Sequence, residues 1–163
     1  MMQKITPFIW FDTQAEEAGN FYTSVFKNSK ILNTSYYGEQ GQEVTGKAPG
    51  SVMVVEFEIE GQQFQVINGG PSFKVNPAIS FVIDCKDQEE VDYYWSKLTE
   101  GGKEVQCGWL EDKFGVSWQV VPSILNKLLT DPDKEKAGRV MNAMLKMVKL
   151  DIQKFQDAYD GKE

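Results

Sequence analysis

Histidine is missing altogether from the 163 residues. Histidine is the commonest protein ligand for zinc, nickel and iron and the usual proton carrier near neutral pH. A Ser–His or Cys–His catalytic pair and any multi-histidine metal site are therefore excluded, which leaves carboxylates, amides, tyrosines, lysines and thiols. Cysteine is scarce too. Cys85 and Cys107 form neither a CxxC motif nor a disulfide framework, a pattern that fits a reducing compartment, and a cytoplasmic location is expected. Lysine and arginine number 17 against 24 acidic residues, a net charge of −7, with no basic cluster along the chain. Neither nucleic acid nor a membrane surface is expected as a partner. Long apolar runs are absent as well: Met1-Met2-Gln3-Lys4 leads into a mixed strand pattern, with no leader and no spanning helix to be read.

What is present suits a folded domain. Hydrophobic residues make up 41% and aromatics 12%, enough for a real core in a chain of this length. Ile5 to Phe11 is apolar and β-rich. Thr13-Gln14-Ala15-Glu16 reads as a capping box, and Ala15, Ala18, Tyr22 and Val25 follow at helical spacing. Ile31 to Tyr37 reads as a strand and Gly38 to Gly50 as a loop. Ser51 to Asn68 alternates as a hairpin whose turn is Glu60-Gly61, which sets Phe57 against Phe64 and Glu56 against Gln65 on the other surface. The pattern then restarts. Ala78 to Cys85 is a strand, Asp87-Gln88-Glu89-Glu90 opens a helix with Val91, Tyr94, Trp95 and Leu98 on one face, and Glu104–Leu110 and Val116–Val121 form a hairpin-like pair.

The two halves align. Glu16 to Tyr22 matches Glu89 to Trp95 at an offset of 73, and Gly61 to Ile67 matches Gly115 to Val121 at an offset of 54, so the second half is shorter by 19 residues. Order and spacing together favour a true repeat over chance likeness. From Ser123 onward the chain reads as helical, with Asp131-Pro132 and Asp151 as helix starts and Val140, Met144 and Met147 as a stripe.

Paired βαβββ units with an FYxxxF-type helix, here Phe21-Tyr22 to Phe26, resemble the vicinal oxygen chelate superfamily, which includes glyoxalase I, bleomycin-resistance proteins and extradiol dioxygenases. Thr6-Pro7-Phe8-Ile9-Trp10-Phe11, Asn68-Gly69-Gly70-Pro71, Gln106-Cys107-Gly108-Trp109 and Asp112 to Gln119 are similar to its PhnB-like group, whose domains carry the name 3-demethylubiquinone-9 3-methyltransferase. The expected fold is α+β. Two βαβββ-like units, 4–71 and a shortened 77–122, form curved mixed sheets that enclose a small-molecule pocket, with C-terminal helices over 123–163 in one domain. The resemblance places metal ligands on the first and fourth strands of each unit, at Pro7, Gln65, near Ala78, and Gln119. None of these is a histidine or carboxylate, so no metal and no cofactor are expected. Ser72 stands after the Gly-Gly-Pro turn, where group members often carry histidine. A methyltransferase using S-adenosylmethionine needs a glycine turn between strand and helix. Gly69-Gly70-Pro71 instead ends a hairpin strand, so that activity is not expected.

Gln65 and Gln119 interrupt apolar strands, either to bind a ligand in the cup or to face solvent on an open sheet. Glu56, the carboxylate opposite Gln65 on the surface assigned to the cup, is the acid–base candidate. Cys107 is either a reactive thiol or a small apolar side chain. Trp95, Trp118 and Trp10 are expected in the core and Trp109 on a pocket wall. Three functions follow: a metal-free protein that binds a small organic ligand at Gln65, Gln119, Trp109, Ser72 and Cys107; an enzyme of the same superfamily using Glu56, Gln65 and Gln119, or Asp112 with Lys113; and an interacting dimer without a ligand. A homodimer is expected, with Met141, Met144, Met147, Ile152 and Phe155 offering apolar area beyond what the repeats need.

Overall fold

The computed structural model describes residues 3–40 and 42–162 and divides into two compact units, Met1–Val75 and Asn76–Glu163. In the first, β1 (Phe8–Phe11), α1 (Ala15–Val25), β2 (Ser29–Tyr36), the short α2 (Gln42–Thr45), β3 (Val52–Ile59) and β4 (Gln62–Asn68) follow one another. The sheet order is β1-β4-β3-β2, with β1 parallel to β4 and the other pairs antiparallel. Glu60 and Gly61 both take positive φ, 48° and 81°, the primed turn that matches the twist of a two-residue hairpin. That turn sets the register Phe57↔Phe64 and Glu56↔Gln65. Helix α1 buries Ala15, Ala18, Tyr22 and Val25 against the sheet face of Val55, Phe57, Phe64 and Val66. The Phe57 and Phe64 rings stack at 5.5 Å.

The start of α1 departs from the capping-box expectation. The N-cap position is Gln14, and no side chain at that position caps the helix. Instead Asn68, at the end of β4, accepts the Ala15 N–H on Oδ1 at 2.7 Å and donates Nδ2 to the Val52 carbonyl at 3.0 Å. Its own carbonyl accepts the Tyr37 hydroxyl at 2.8 Å. One amide thus closes a helix end and the hairpin mouth together.

In the second unit, β5 (Ser80–Cys85), α3 (Gln88–Thr99), β6 (Lys103–Glu104), β7 (Trp109–Glu111) and β8 (Ser117–Pro122) repeat the scheme, in the order β5-β8-β7-β6 with β5 parallel to β8. Asp87 caps α3 by accepting the Glu90 N–H, and Val91, Trp95 and Leu98 are buried. The expected strand from Glu104 to Leu110 is broken in two. Cys107 and Gly108 take left-handed φ of 59° and 81°, and their N–H groups donate to the Met147 and Val148 carbonyls at 2.8 Å each. Those donors are drawn out of the ladder by a segment some 40 residues on.

Helices α4 (Ile124–Leu129), α5 (Lys134–Met144) and α6 (Ile152–Asp160) form a layer with its own core of Leu125, Leu128, Val140, Met147, Leu150 and Phe155. Asp133, rather than Asp131, caps α5 by accepting from Glu135 and Lys136 N–H; Asp131 accepts the Asp133 N–H one step earlier. Asp151 caps α6 as expected. Met147 and Phe155 are buried and Met144 packs beside them. The apolar residues expected to be spare are mostly core, and only Met141, with Leu145 and Val148, stays well exposed. No helix among the described residues is long and apolar enough to cross a membrane.

The capping geometry is testable. Asn68→Ala is expected to lower stability by about 1–2 kcal/mol in urea denaturation, and Thr13→Ala to change it by less than about 0.5 kcal/mol.

Candidate functional site

Each sheet turns one face to its helix, and the residues of alternate parity form the open face. In the first unit that face holds Phe8 and Trp10 of β1, Gln65 and Ile67 of β4, and Val54 and Glu56 of β3. Gln65 is partly buried, and its Nε2 donates to Glu56 Oε1 at 2.9 Å. The flanking Phe64 and Val66 are buried against the helix, so the expected parity of Gln65 holds. The first-strand position does not hold. Phe8, not Pro7, lies opposite Gln65, while Pro7 only accepts the Gln65 N–H through its carbonyl. Trp10 shares this parity and so belongs to the open face rather than the core. Its indole lies on Gly69, where a Cβ would come within 2.2 Å of the ring, and its Nε1 donates to the Gly70 carbonyl at 2.8 Å. Phe73, 65% exposed, stands edge-on to it at 5.1 Å. Ser72 is exposed on the turn just before Phe73.

The second unit repeats the arrangement with different chemistry. Gln119 lies between Val82 of β5 and Trp109 of β7, and the flanking Trp118 and Val120 are buried. Its Nε2 donates to Ser80 Oγ at 2.9 Å. Strand β5 starts at Ser80, so the second unit's first-strand position, expected near Ala78, falls at Ser80 and Val82. Trp109 is partly buried and occupies the slot that Glu56 fills in the first unit. Phe8, Trp10, Ser80 and Val82 were not among the sequence candidates. The signal that finds them is the parallel register to β4 and β8, which only folded strands reveal.

Asp112, the other acid–base candidate, is committed to the loop around it. It is 2% exposed. Oδ1 accepts the Phe114 and Val116 N–H groups at 2.9 and 3.1 Å, and Oδ2 accepts the Trp118 indole at 2.8 Å. The carboxylate thereby builds the β7–β8 loop. Cys107 is partly exposed at the strand break, where its backbone is committed to Met147. Cys85 is fully buried. Burial first, then the charges of Glu90, Asp84 and Asp87, push its thiol up to about 12, so it stays protonated and unreactive at ordinary pH. Among the described residues no three His, Cys, Asp or Glu side chains converge to hold a metal ion. The residues at the superfamily's ligand strands are amides, a serine and apolar groups, and they do not fit a transition metal.

Two helix-backed mixed sheets of the same order, each a strand-helix-hairpin unit, define the vicinal oxygen chelate class. Within it the chain belongs to the PhnB-like family whose model is described as 3-demethylubiquinone-9 3-methyltransferase and matches residues 3–121. The chain is 38% identical to a PhnB protein from Bacillus cereus bearing that same description, with 74% of this chain and 99% of that one covered and a TM-score of 0.65. A protein from Pseudomonas aeruginosa, at 17% identity, covers 74% and 98% with a TM-score of 0.61. The fosfomycin resistance protein FosX from Listeria monocytogenes, also at 17%, covers 80% and 98% with a TM-score of 0.52. These last two share the fold alone. No curated protein matches the chain. Helices α4 to α6 lie beyond the span of the family model.

The division between structural and open-face polar groups gives an expectation. Asp112→Ala is expected to cost about 3 kcal/mol, because it strands two backbone donors and an indole N–H in the interior. Gln119→Ala should cost less than about 1 kcal/mol. Paired denaturation curves check the contrast.

Proposed function

We propose that this chain is a metal-free binder of a small organic molecule, of the glyoxalase and bleomycin-resistance type. The observation that carries this reading is the matched pair of half-buried amides. Gln65 and Gln119 occupy the same register slot in their sheets, and each has one polar neighbour, Glu56 or Ser80. Around them stand apolar groups held in partial exposure: Phe8 at 52% and Val82 at 61%, with Trp10 and Trp109. A few placed polar groups among aromatic and aliphatic walls is the usual composition of a small-molecule site. Ser72 and Cys107 belong to this proposal as marginal contacts, on the turn after β4 and before β7.

Methyl transfer, which the family description names, is not part of the reading. Neither sheet alternates parallel strands with helices, and Gly69-Gly70 leads to Pro71 and not into a helix. An enzymatic reading rests on one observation, the Glu56 carboxylate on the open face. It requires Glu56→Gln to abolish turnover of a bound compound while leaving binding intact.

A homodimer is the proposed assembly. Strand β2 is an eight-residue sheet edge with Ile31, Leu32 and Tyr36 exposed, and an unpaired edge of that length invites a second copy.

Three measurements test these readings. Elemental analysis of purified protein is expected to find far less than one transition-metal ion per chain, and thermal-shift screening with aromatic organic compounds to find hits weakened by Gln65→Leu and Gln119→Leu. A stoichiometric metal, or hits indifferent to both substitutions, would overturn the proposal. Light scattering at micromolar concentration is expected to give twice the chain mass of 18.5 kDa, and a mass of 18.5 kDa removes the dimer.

A further inference from the structure

Outside the sheets, α5 and α6 enclose an open groove of about 650 Å³, within the usual range for small-molecule sites. Its charge runs against that of the chain. The groove is lined by Arg139, Lys146, Lys154 and Lys162 with one acid, Asp157, whereas the whole chain carries −7. These cations stand seven or eight residues apart, so no basic cluster is visible along the sequence, and two packed helices are needed to assemble them.

Several of the groups are already committed. Arg139 donates Nε to the Ala158 carbonyl at 2.8 Å and Nη2 to the Tyr159 carbonyl at 2.6 Å. The guanidinium is thereby fixed at the C-terminal end of α6 with donors to spare. Lys162 is paired with Asp160 at 3.0 Å, and Asp157 accepts the Gln153 amide. Lys146 and Lys154 remain. Among the described residues neither ammonium has a carboxylate within ion-pair distance. Two lysine charges with no ion-pair partner among the described residues and a fixed guanidinium thus line one concavity. Its walls otherwise carry an amide, Asn142, and small groups such as Ala143 and Ala158, with no aromatic ring to stack on.

We infer that the α5–α6 groove is a binding site for a compact polyanion carrying a phosphate chain. Lysine ammonium groups are compact point charges that neutralise phosphate oxygens, and a fixed guanidinium adds directed donors. The absence of stacking surface favours a ligand whose recognised part is charge rather than a ring. The site belongs to the layer beyond the family model's span, so it is independent of the open-face reading above.

Calorimetry on the full chain at low ionic strength, with inorganic tripolyphosphate as probe and citrate as a polycarboxylate comparison, tests this. One site per chain is expected, weakening as salt is raised. Binding should fall at least about tenfold in Lys146→Ala/Lys154→Ala, whose two charges act directly on the ligand. The control Lys97→Ala/Lys127→Ala removes the same net charge from exposed positions on α3 and α4 and should leave affinity within about twofold. Both double variants alter exposed side chains, and matching melting temperatures confirm their folding. No measurable binding, equal affinity in the groove variant, or an equal loss in the control overturns the site. Citrate binding as tightly as tripolyphosphate overturns the phosphate assignment.

Discussion

Strand parity in the β3–β4 hairpin is the constraint on which the first unit depends. Glu60 and Gly61 fix the hairpin at one register, and that register puts Phe57 on Phe64 beneath α1 while Glu56 meets Gln65 on the other side. A slip of one residue would exchange the faces. It would drive a carboxylate and an amide under the helix and expose two stacked rings. The parallel pairing of β1 to β4 extends the same choice to a third strand and brings Phe8 and Trp10 to the open face. Asn68 then locks the end of β4 to α1 and to β3, so register, helix start and hairpin mouth are one cooperative feature.

The second unit keeps this logic while altering its contents. Gln119 occupies the slot of Gln65, yet its neighbours are Ser80, Val82 and Trp109 in place of a carboxylate and Phe8. The sheet tolerates the shorter connection because β6 is reduced to two residues and the backbone at Cys107 and Gly108 turns away to donate to Met147 and Val148. Asp112 takes over the loop that follows, satisfying two N–H groups and an indole with one buried carboxylate. Asp112 and the Cys107 backbone thus serve the fold in this stretch, and Gln119 stays on the open face.

The helical layer follows a different principle. Its core is closed by side chains from three helices and from the α5–α6 connection, and Arg139 ties α5 to the end of α6 through two carbonyls. Packing the apolar stripes inward leaves Arg139 of α5 and Lys154 of α6 on the groove side, with Lys146 and Lys162 just past the helix ends. A local positive concavity on an acidic protein results from that geometry, with no basic run in the sequence behind it.

The sequence by itself determined the repeat, the helix-facing residues of α1 and α3, the Glu60-Gly61 turn, and the parity that sends Gln65 and Gln119 to the open faces. All of these rest on periodicity or on the φ demands of one dipeptide, which act over a few residues. The absence of histidine likewise constrained the site before any fold was known. Tertiary structure alone decided the rest. Thr13 looks like a cap by local pattern, but Asn68 reaches the helix end from 53 residues away. Pro7 and Trp10 were assigned to the wrong faces because the register of a parallel pair is set across a helical crossover, and no short-range signal carries it. Asp112 reads as a loop acid until Trp118 and two N–H groups close on it. The segment from Met141 to Phe155 reads as spare apolar surface until three helices bury most of it. In each case the deciding partner lies outside the local window, and only the folded chain brings the two together.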